Sequence, residues 1–350
     1  GDFGVKRHTD QVALALIMST LAQEPGDSYR GDNLILVDVG ANKGQTQKFA
    51  LKLLTALLTK RDTMTAMVLS YEPAPATFKL LEKEVGAFKK QLPEDSRLTL
   101  ASYEKGLGER AGMELLHVAA AGDQAASFSL RKARATGKLA PREEVQVEVV
   151  TVDDELNRHL QIEWPPMGRG APITDIVVVK IDTEGWEDRV IRGMAAGLKA
   201  NAYAAIVWEW CPQKMAKGSL RLQVTTMAAH GMLTYVVGTA VFLRLYANEP
   251  ALWQEAGGME TTTKTLNLLA LPLDSPVNAR IEHNLLLCAP YEEEPLHLPQ
   301  FQHASRARGH DECECWRGGG LRGRNAESRR RPEQTTPTTR VGRRLNVPDA

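Results

Sequence analysis

The residues best suited to chemistry lie in three short stretches. The first is Asp38-Val39-Gly40-Ala41-Asn42-Lys43-Gly44, which follows the apolar run Leu34–Val39 and opens into a helical pattern. Gly40 and Gly44 let a ligand approach the backbone closely. The amino end of the helix that follows offers free N–H groups to a carboxylate or phosphate. The spacing is Gly-x-x-x-Gly, so the Gly-x-Gly-x-x-Gly dinucleotide fingerprint is absent, and so is the Lys-Ser/Thr ending of a P-loop. The second stretch is Glu72, at the end of the next strand, where a carboxylate can accept hydrogen bonds from both hydroxyls of a ribose. An acid ending strand one, paired glycines and an acid after strand two form the pattern that holds S-adenosylmethionine. That cofactor has no pyrophosphate and so does not need the tighter glycine turn. Its methionine end is a zwitterion, matched by the helix amino end and by a carboxylate such as Asp38. The plainer alternative makes Gly40 and Gly44 turn glycines and Glu72 a solvated cap.

The third stretch is acidic. Asp182 and Glu184 follow the strand Ile176–Ile181, and Glu209 ends a later strand within Trp208-Glu209-Trp210. Methyl transfer is an in-line displacement at a sulfonium, so positioning supplies much of the rate. An aliphatic hydroxyl is a poor nucleophile near neutral pH, and a general base or a metal ion assists it. Asp182 and Glu184 are the first candidates for acceptor-side groups, with Glu209 third. The competing structural roles are a helix cap for Asp182 and a helix-dipole partner for Glu184 or Glu187. No carboxylate spacing specifies a metal site, and none is expected. Cys313 and Cys315 lie near His310 but lack a fourth ligand at a useful spacing. Cys211 and Cys288 read as buried thiols. His117, His159 and His230 lie in or after partly apolar stretches, and His283 adjoins the last apolar motif.

The elements that must position these groups alternate. Thr9 or Asp10 caps a helix through Leu14, Ile17, Met18 and Leu21. Strands are expected at Leu34–Val39, Ala66–Tyr71 and Leu98–Leu100, with helices after the first two, which is the signature of a doubly wound sheet. Further strands are expected at Met113–Val118, Val145–Val150, Ile176–Ile181 and Ala204–Glu209. One helix is expected from about Gly185 to Leu198 and another from Leu220 to Ala229. Leu233–Val237 and Val241–Leu245 suit a hairpin, then a loop precedes a last strand, Asn284–Cys288. Residues 119–142 read as a loop, and Trp164–Pro172 as a turn-rich insertion.

Five motifs stand in collinear order: VDVGANKGQT at 37–46, YEPAPATFKLL at 71–81, VTVDDEL at 150–156, DIVVVKIDTEGWEDRVIRGM at 175–194 and HNLLLCAP at 283–290. Through them the chain resembles the FkbM family of S-adenosylmethionine-dependent methyltransferases over roughly residues 30–290. The resemblance implies a Rossmann-like class I methyltransferase fold of the α/β class. Its doubly wound, mostly parallel sheet would have seven strands, the last antiparallel. It also implies O-methylation of a hydroxyl on a sugar, glycan or other small acceptor. Carried over residue by residue, Asp38, Gly40, Asn42 and Gly44 match the first cofactor motif, Glu72 the ribose-binding acid, and Asp182, Glu184 and Gly185 the acidic motif after the fourth strand. Trp186 stands where a small residue is usual. The segment Ala126–Leu130 matches the family's serine-rich stretch only loosely. On this reading residues 1–29 form an N-terminal helical extension, 30–290 the methyltransferase domain and 291–350 a disordered basic tail.

Composition bounds the alternatives. The 350 residues are 43% hydrophobic and 25% charged, with 43 basic and 43 acidic side chains. This is an ordinary globular composition, which argues against wholesale disorder, a collagen-like repeat or a disulfide scaffold. The neutrality is a cancellation. Residues 301–350 hold 11 arginines against 6 acids, so the first 300 residues are net acidic by five charges. An acidic domain suits a small-molecule enzyme better than a nucleic-acid one. A nucleic-acid methyltransferase using the Arg-rich tail and the cluster Arg131, Lys132, Arg134 and Lys138 is the second hypothesis. The tail has only Phe301 and Trp316 as aromatics for stacking. A non-catalytic cofactor-binding protein on the same fold is the third. Val12–Ala22, at 11 residues, is too short to span a bilayer. The chain starts at Gly1, as a fragment or processed form would, so a cytoplasmic or an organellar compartment is left open.

Overall fold

The computed structural model describes residues 9–21, 33–118, 128, 143–160, 175–212, 214–215, 219–238, 242–247 and 265–284. The insertion around 163–172, the middle basic cluster, the run 285–290, the two cysteines near His310 and the Arg-rich tail lie outside these residues.

The central sheet begins with β1 (Asn33–Val39), β2 (Thr65–Tyr71) and β3 (Leu98–Tyr103). It continues with β7 (Ile176–Ile181), β8 (Tyr203–Trp210), β9 (Met232–Val237), β10 (Phe242–Leu245) and β11 (Leu266–Pro272). The strand order is β10-β9-β11-β8-β7-β1-β2-β3. From β3 to β8 every pairing is parallel, and β11 runs antiparallel to both β8 and β9. This is a mixed α/β architecture with a large, mostly parallel sheet. It holds eight strands rather than the expected seven, because Phe242–Leu245 adds an edge strand to β9 as a hairpin. A second sheet of three short strands, β4 (Gly106–Leu107), β5 (Gly112–Val118) and β6 (Glu143–Val150), has the order β4-β6-β5.

Burial explains the apolar strands. All six residues of β7 are buried, as a strand covered on both faces requires. Alternation along β1 sends Leu34 and Leu36 to one face and Ile35, Val37 and Val39 to the other. On the first face pack α1 (Thr9–Leu21), α2 (Gln45–Lys60), α3 (Pro75–Lys89) and α8 (Pro276–Asn284). On the second pack α4 (Val152–Leu160), α5 (Glu187–Arg192), α6 (Ala195–Lys199) and α7 (Ser219–Ala229). Each fully buried Leu, Ile or Val contributes roughly 2 kcal/mol. Helix α1 is part of this core: Leu14, Ile17, Met18 and Leu21 are buried, and the Arg61 guanidinium donates to the Leu21 carbonyl at 3.0 Å, closing the helix end. Among the described residues no helix is long and apolar enough to cross a membrane.

Two expectations differ from the structure. The helix expected over 185–198 is two short helices separated at Gly193-Met194. A Cβ at Gly193 would stand 1.9 Å from the Gly108 carbonyl oxygen, so the break lets the β4–β5 connection pass close by. The strand that completes the sheet is Leu266–Pro272, in the stretch read as a loop, and Asn284 of the expected last strand ends α8 instead.

Candidate active site

The carboxyl ends of β1, β2 and β7 meet at a crevice open to solvent. In open α/β sheets ligands bind at this edge. Its floor begins at the turn after β1. Gly40, Asn42 and Gly44 have φ of 75°, 51° and 82°, the left-handed region that favours glycine and tolerates asparagine. The N–H groups of Gly40 and Ala41 both donate to the Tyr71 carbonyl at 3.0 Å, fastening the turn to the end of β2. A Cβ at Gly40 would lie 2.0 Å from the Asp182 carbonyl oxygen, so only glycine lets the turns after β1 and β7 touch.

Glu72 is 6% exposed and lines the crevice. One carboxylate oxygen accepts from the Asn42 N–H and the other from the Ala74 N–H, both at 3.0 Å. A carboxylate has about four acceptor positions, so each oxygen retains capacity for one further donor. Burial pushes the Glu72 carboxyl up to about 7, against the two N–H donors that favour its ionised form.

Asp38 is placed differently. It is fully buried, does not line the crevice, and lies 3.2 Å from the Lys180 ammonium on the neighbouring strand. Lys180 also reaches Asp182 at 3.5 Å. Burial alone would lower the Lys180 pKa, but Asp38, Asp182 and Asp10 at the start of α1 outweigh it and hold it above the ordinary value. Gly44 is the left-handed residue that starts α2 and also stands off the crevice.

The three acidic candidates come together. Ligand atoms of Asp182, Glu184 and Glu209 all lie within 4.8 Å of one another, a group that could hold a metal ion. Asp182 and Glu184 line the crevice, and Glu209 stands beside them at the end of β8. Lys214 already places an ammonium here, paired with Glu184 and 3.5 Å from Glu209. Burial, then the charges of Asp182 and Glu184, push the Glu209 carboxyl up to about 7 against the pull of Lys214. Asp182 does not cap α5, whose N-cap residue is Trp186 with no side-chain cap. Trp186 packs against Phe128 in a tilted pair, 4.6 Å between ring centres, and Phe128 lines the crevice. His117 pairs with Glu144 on the second sheet, and His159 lies near Glu155 and Tyr103. Among the described residues no histidine lines the crevice.

The sequence reading missed Lys180 and Lys214, and gave Glu187 only a helix-dipole role. Lys180 carried a signal: one cation inside an otherwise apolar strand has to be paired. Lys214 carried none, because its partners come from two other strand ends.

The family model for the methyltransferase FkbM domain matches residues 38–236, more than half of the chain. Among solved structures, the chain is similar to methyltransferase FkbM from Methylobacillus flagellatus KT at 13% identity and a TM-score of 0.36, over 72% of this chain and 47% of that one. It thus spans about half the length of that protein. The chain is also similar to the methyltransferase domain of bacterial CtHen1-CN at 10% identity and a TM-score of 0.33, over 75% of this chain and 99% of that one. No curated protein matches it.

Proposed function

The chain belongs to the FkbM methyltransferase family, and from that premise we propose that it transfers the methyl group of S-adenosylmethionine to a hydroxyl of a sugar, glycan or other small acceptor. One observation carries this reading. A buried carboxylate with spare acceptor capacity, Glu72, shares a crevice with Asp182 and Glu184, beside which Glu209 stands. The strand order supports it as well: apart from the edge strand β10, seven strands remain, and the last of them in chain order, β11, is antiparallel to both its neighbours, in keeping with the expected fold.

The residues present fit the cofactor. Glu72 would hold the two ribose hydroxyls, and Gly40 and Asn42 would let the backbone close over the ligand. Asp38 is assigned to holding Lys180, and through it Asp182, rather than to direct contact. When bound, the cofactor supplies a methyl group activated by its sulfonium. The chain supplies alignment and a place for the acceptor's proton. Lys180 lies 3.5 Å from Asp182 and helps to fix the carboxylate that would orient the hydroxyl, and Lys214 pairs with Glu184. Glu209, with its carboxyl near 7, is the proton acceptor matched to neutral pH. The order of candidates is therefore Glu209 as base, with Asp182 and Glu184 orienting.

Around this mouth Glu72, Asp182, Glu184 and Glu209 outnumber Lys105 and Lys214, and Lys180 is shared between Asp182 and the buried Asp38, which favours an uncharged acceptor over a phosphate-bearing polymer. Incubating the protein with methyl-labelled S-adenosylmethionine and a cell extract should put label on hydroxyls of a carbohydrate or small-molecule fraction. Label confined to nucleic acid would favour the second hypothesis. Cofactor binding with no transfer across all fractions would favour a binding protein.

A further inference from the structure

We propose, resting on the reading above, that Glu187 is a positioning residue: its buried carboxylate fixes the turn that presents Asp182 and Glu184 to the crevice. Glu187 opens α5, is 1% exposed and does not line the crevice. Its side chain folds back beneath the preceding turn. One oxygen accepts from the Thr183 N–H at 3.0 Å and from the Gly185 N–H at 3.1 Å, and the other accepts from the Gly185 N–H at 3.0 Å.

The turn it holds is one the chain would not adopt unaided. Glu184 and Gly185 are consecutive left-handed residues, with φ of 60° and 102°. A non-glycine residue persists there only when its surroundings over-determine it. On the outer side, a Cβ at Gly185 would stand 2.9 Å from the Lys214 carbonyl oxygen, so the turn abuts the segment whose lysine pairs with Glu184 and Glu209. On the cofactor side, the Asp182 carbonyl packs against Gly40. Glu187 closes the third, inner side. What favours its charge is backbone N–H groups, those of Gly185, Thr183 and Glu187 itself, and burial still pushes the carboxyl up to about 7. A buried carboxylate kept for the sake of backbone donors is one whose work is the shape of the backbone.

Glutamine is the informative replacement. It keeps the volume but turns one acceptor oxygen into an NH₂ donor facing N–H groups that are themselves donors. The full chain carrying E187Q should bind S-adenosylhomocysteine at least about tenfold more weakly than wild type by titration calorimetry, at a temperature where both are folded. Amide exchange across residues 183–186 should rise by about tenfold or more, while exchange in β1 and β7 stays as in wild type. Glu187→Asp keeps both acceptors on a shorter arm, so it should weaken binding less than E187Q does. It also decides the matter by the same two readouts if E187Q does not fold. A variant that melts lower yet binds and exchanges locally like wild type overturns the proposal, because its role is then stability alone. If wild type itself binds no S-adenosylhomocysteine, the cofactor reading fails. Exchange across 183–186 then decides this inference, with a local rise supporting it and an unchanged rate overturning it.

Discussion

Glu209→Gln should lower the rate of methyl transfer by about 10²- to 10⁴-fold and leave the affinity for S-adenosylhomocysteine as in wild type. The split follows from where Glu209 stands. It lies beside Asp182 and Glu184 at the end of β8 and, unlike Glu72 and the turn after β1 that would hold the cofactor, does not line the crevice. It is also the acidic candidate whose carboxyl is pushed up to about 7, first by burial and then by the Asp182 charge. A base works in its deprotonated form, so the wild-type rate should climb as pH rises through about 7 and level off above it. In Glu209→Gln that limb should vanish and leave a low, flat profile. The measurement is the pH–rate profile with whatever acceptor the labelling experiment identifies. If Glu209→Gln keeps the limb and Asp182→Asn removes it, the base is Asp182 and the assignment here is wrong.

Gly40→Ala should do more damage than any single change of a charged residue. The residue adopts φ of 75°, and an added Cβ would lie 2.0 Å from the Asp182 carbonyl oxygen and 2.9 Å from its carbonyl carbon. Neither contact is with a flexible side chain that could swing aside. Both atoms are backbone at the end of β7, which is buried on both faces. The left-handed strain alone costs about 1–3 kcal/mol, and forcing apart two packed turns adds about as much again. Urea denaturation should therefore show a loss of several kcal/mol, on the order of half a typical domain's stability. Whatever protein remains folded should have lost its affinity for S-adenosylhomocysteine, because the turns after β1 and β7 can no longer touch. Wild-type stability and binding in Gly40→Ala would mean that the two turns are not packed as described.

Much of this arrangement was readable in the residues. Nearly continuous apolar runs such as Ile176–Ile181 mark strands buried on both faces, and here they lie side by side at the centre of the sheet. The glycine turn and Glu72 were placed by their position at strand ends, and the sheet edge brings them to one crevice. What failed depends on distant partners. Leu268–Leu271 is as apolar as Leu285–Cys288, and a short apolar run does not declare whether it is strand, helix or loop. What makes Leu266–Pro272 a strand is the gap between β8 and β9, a fact of topology. The break at Gly193 reflects the Gly108 carbonyl lying against it, across the two sheets. The site shows the same division. Asp38 was legible as an acid at a strand end, but its burial against Lys180 follows from the register that sets the two side by side. Glu184 and Glu209 lie 25 positions apart in the sequence. Their meeting across Lys214 follows from the pairing of β7 with β8.

The central claim is that Glu72 anchors an S-adenosylmethionine-type ligand in this crevice. Its two oxygens already hold Asn42 and Ala74, and the capacity left on each suits the two hydroxyls of a ribose. Each hydrogen bond to a charged acceptor is worth about 1.5–3 kcal/mol, so losing both should weaken binding by about 100-fold or more. The direct measurement is calorimetric titration of wild type and Glu72→Ala with S-adenosylhomocysteine at pH 8, above the value of about 7 to which burial raises this carboxyl, so that it is ionised. Clear binding by wild type, weakened about 100-fold or more in Glu72→Ala, is the predicted result. Equal binding by the two proteins, or no binding by wild type, would contradict it.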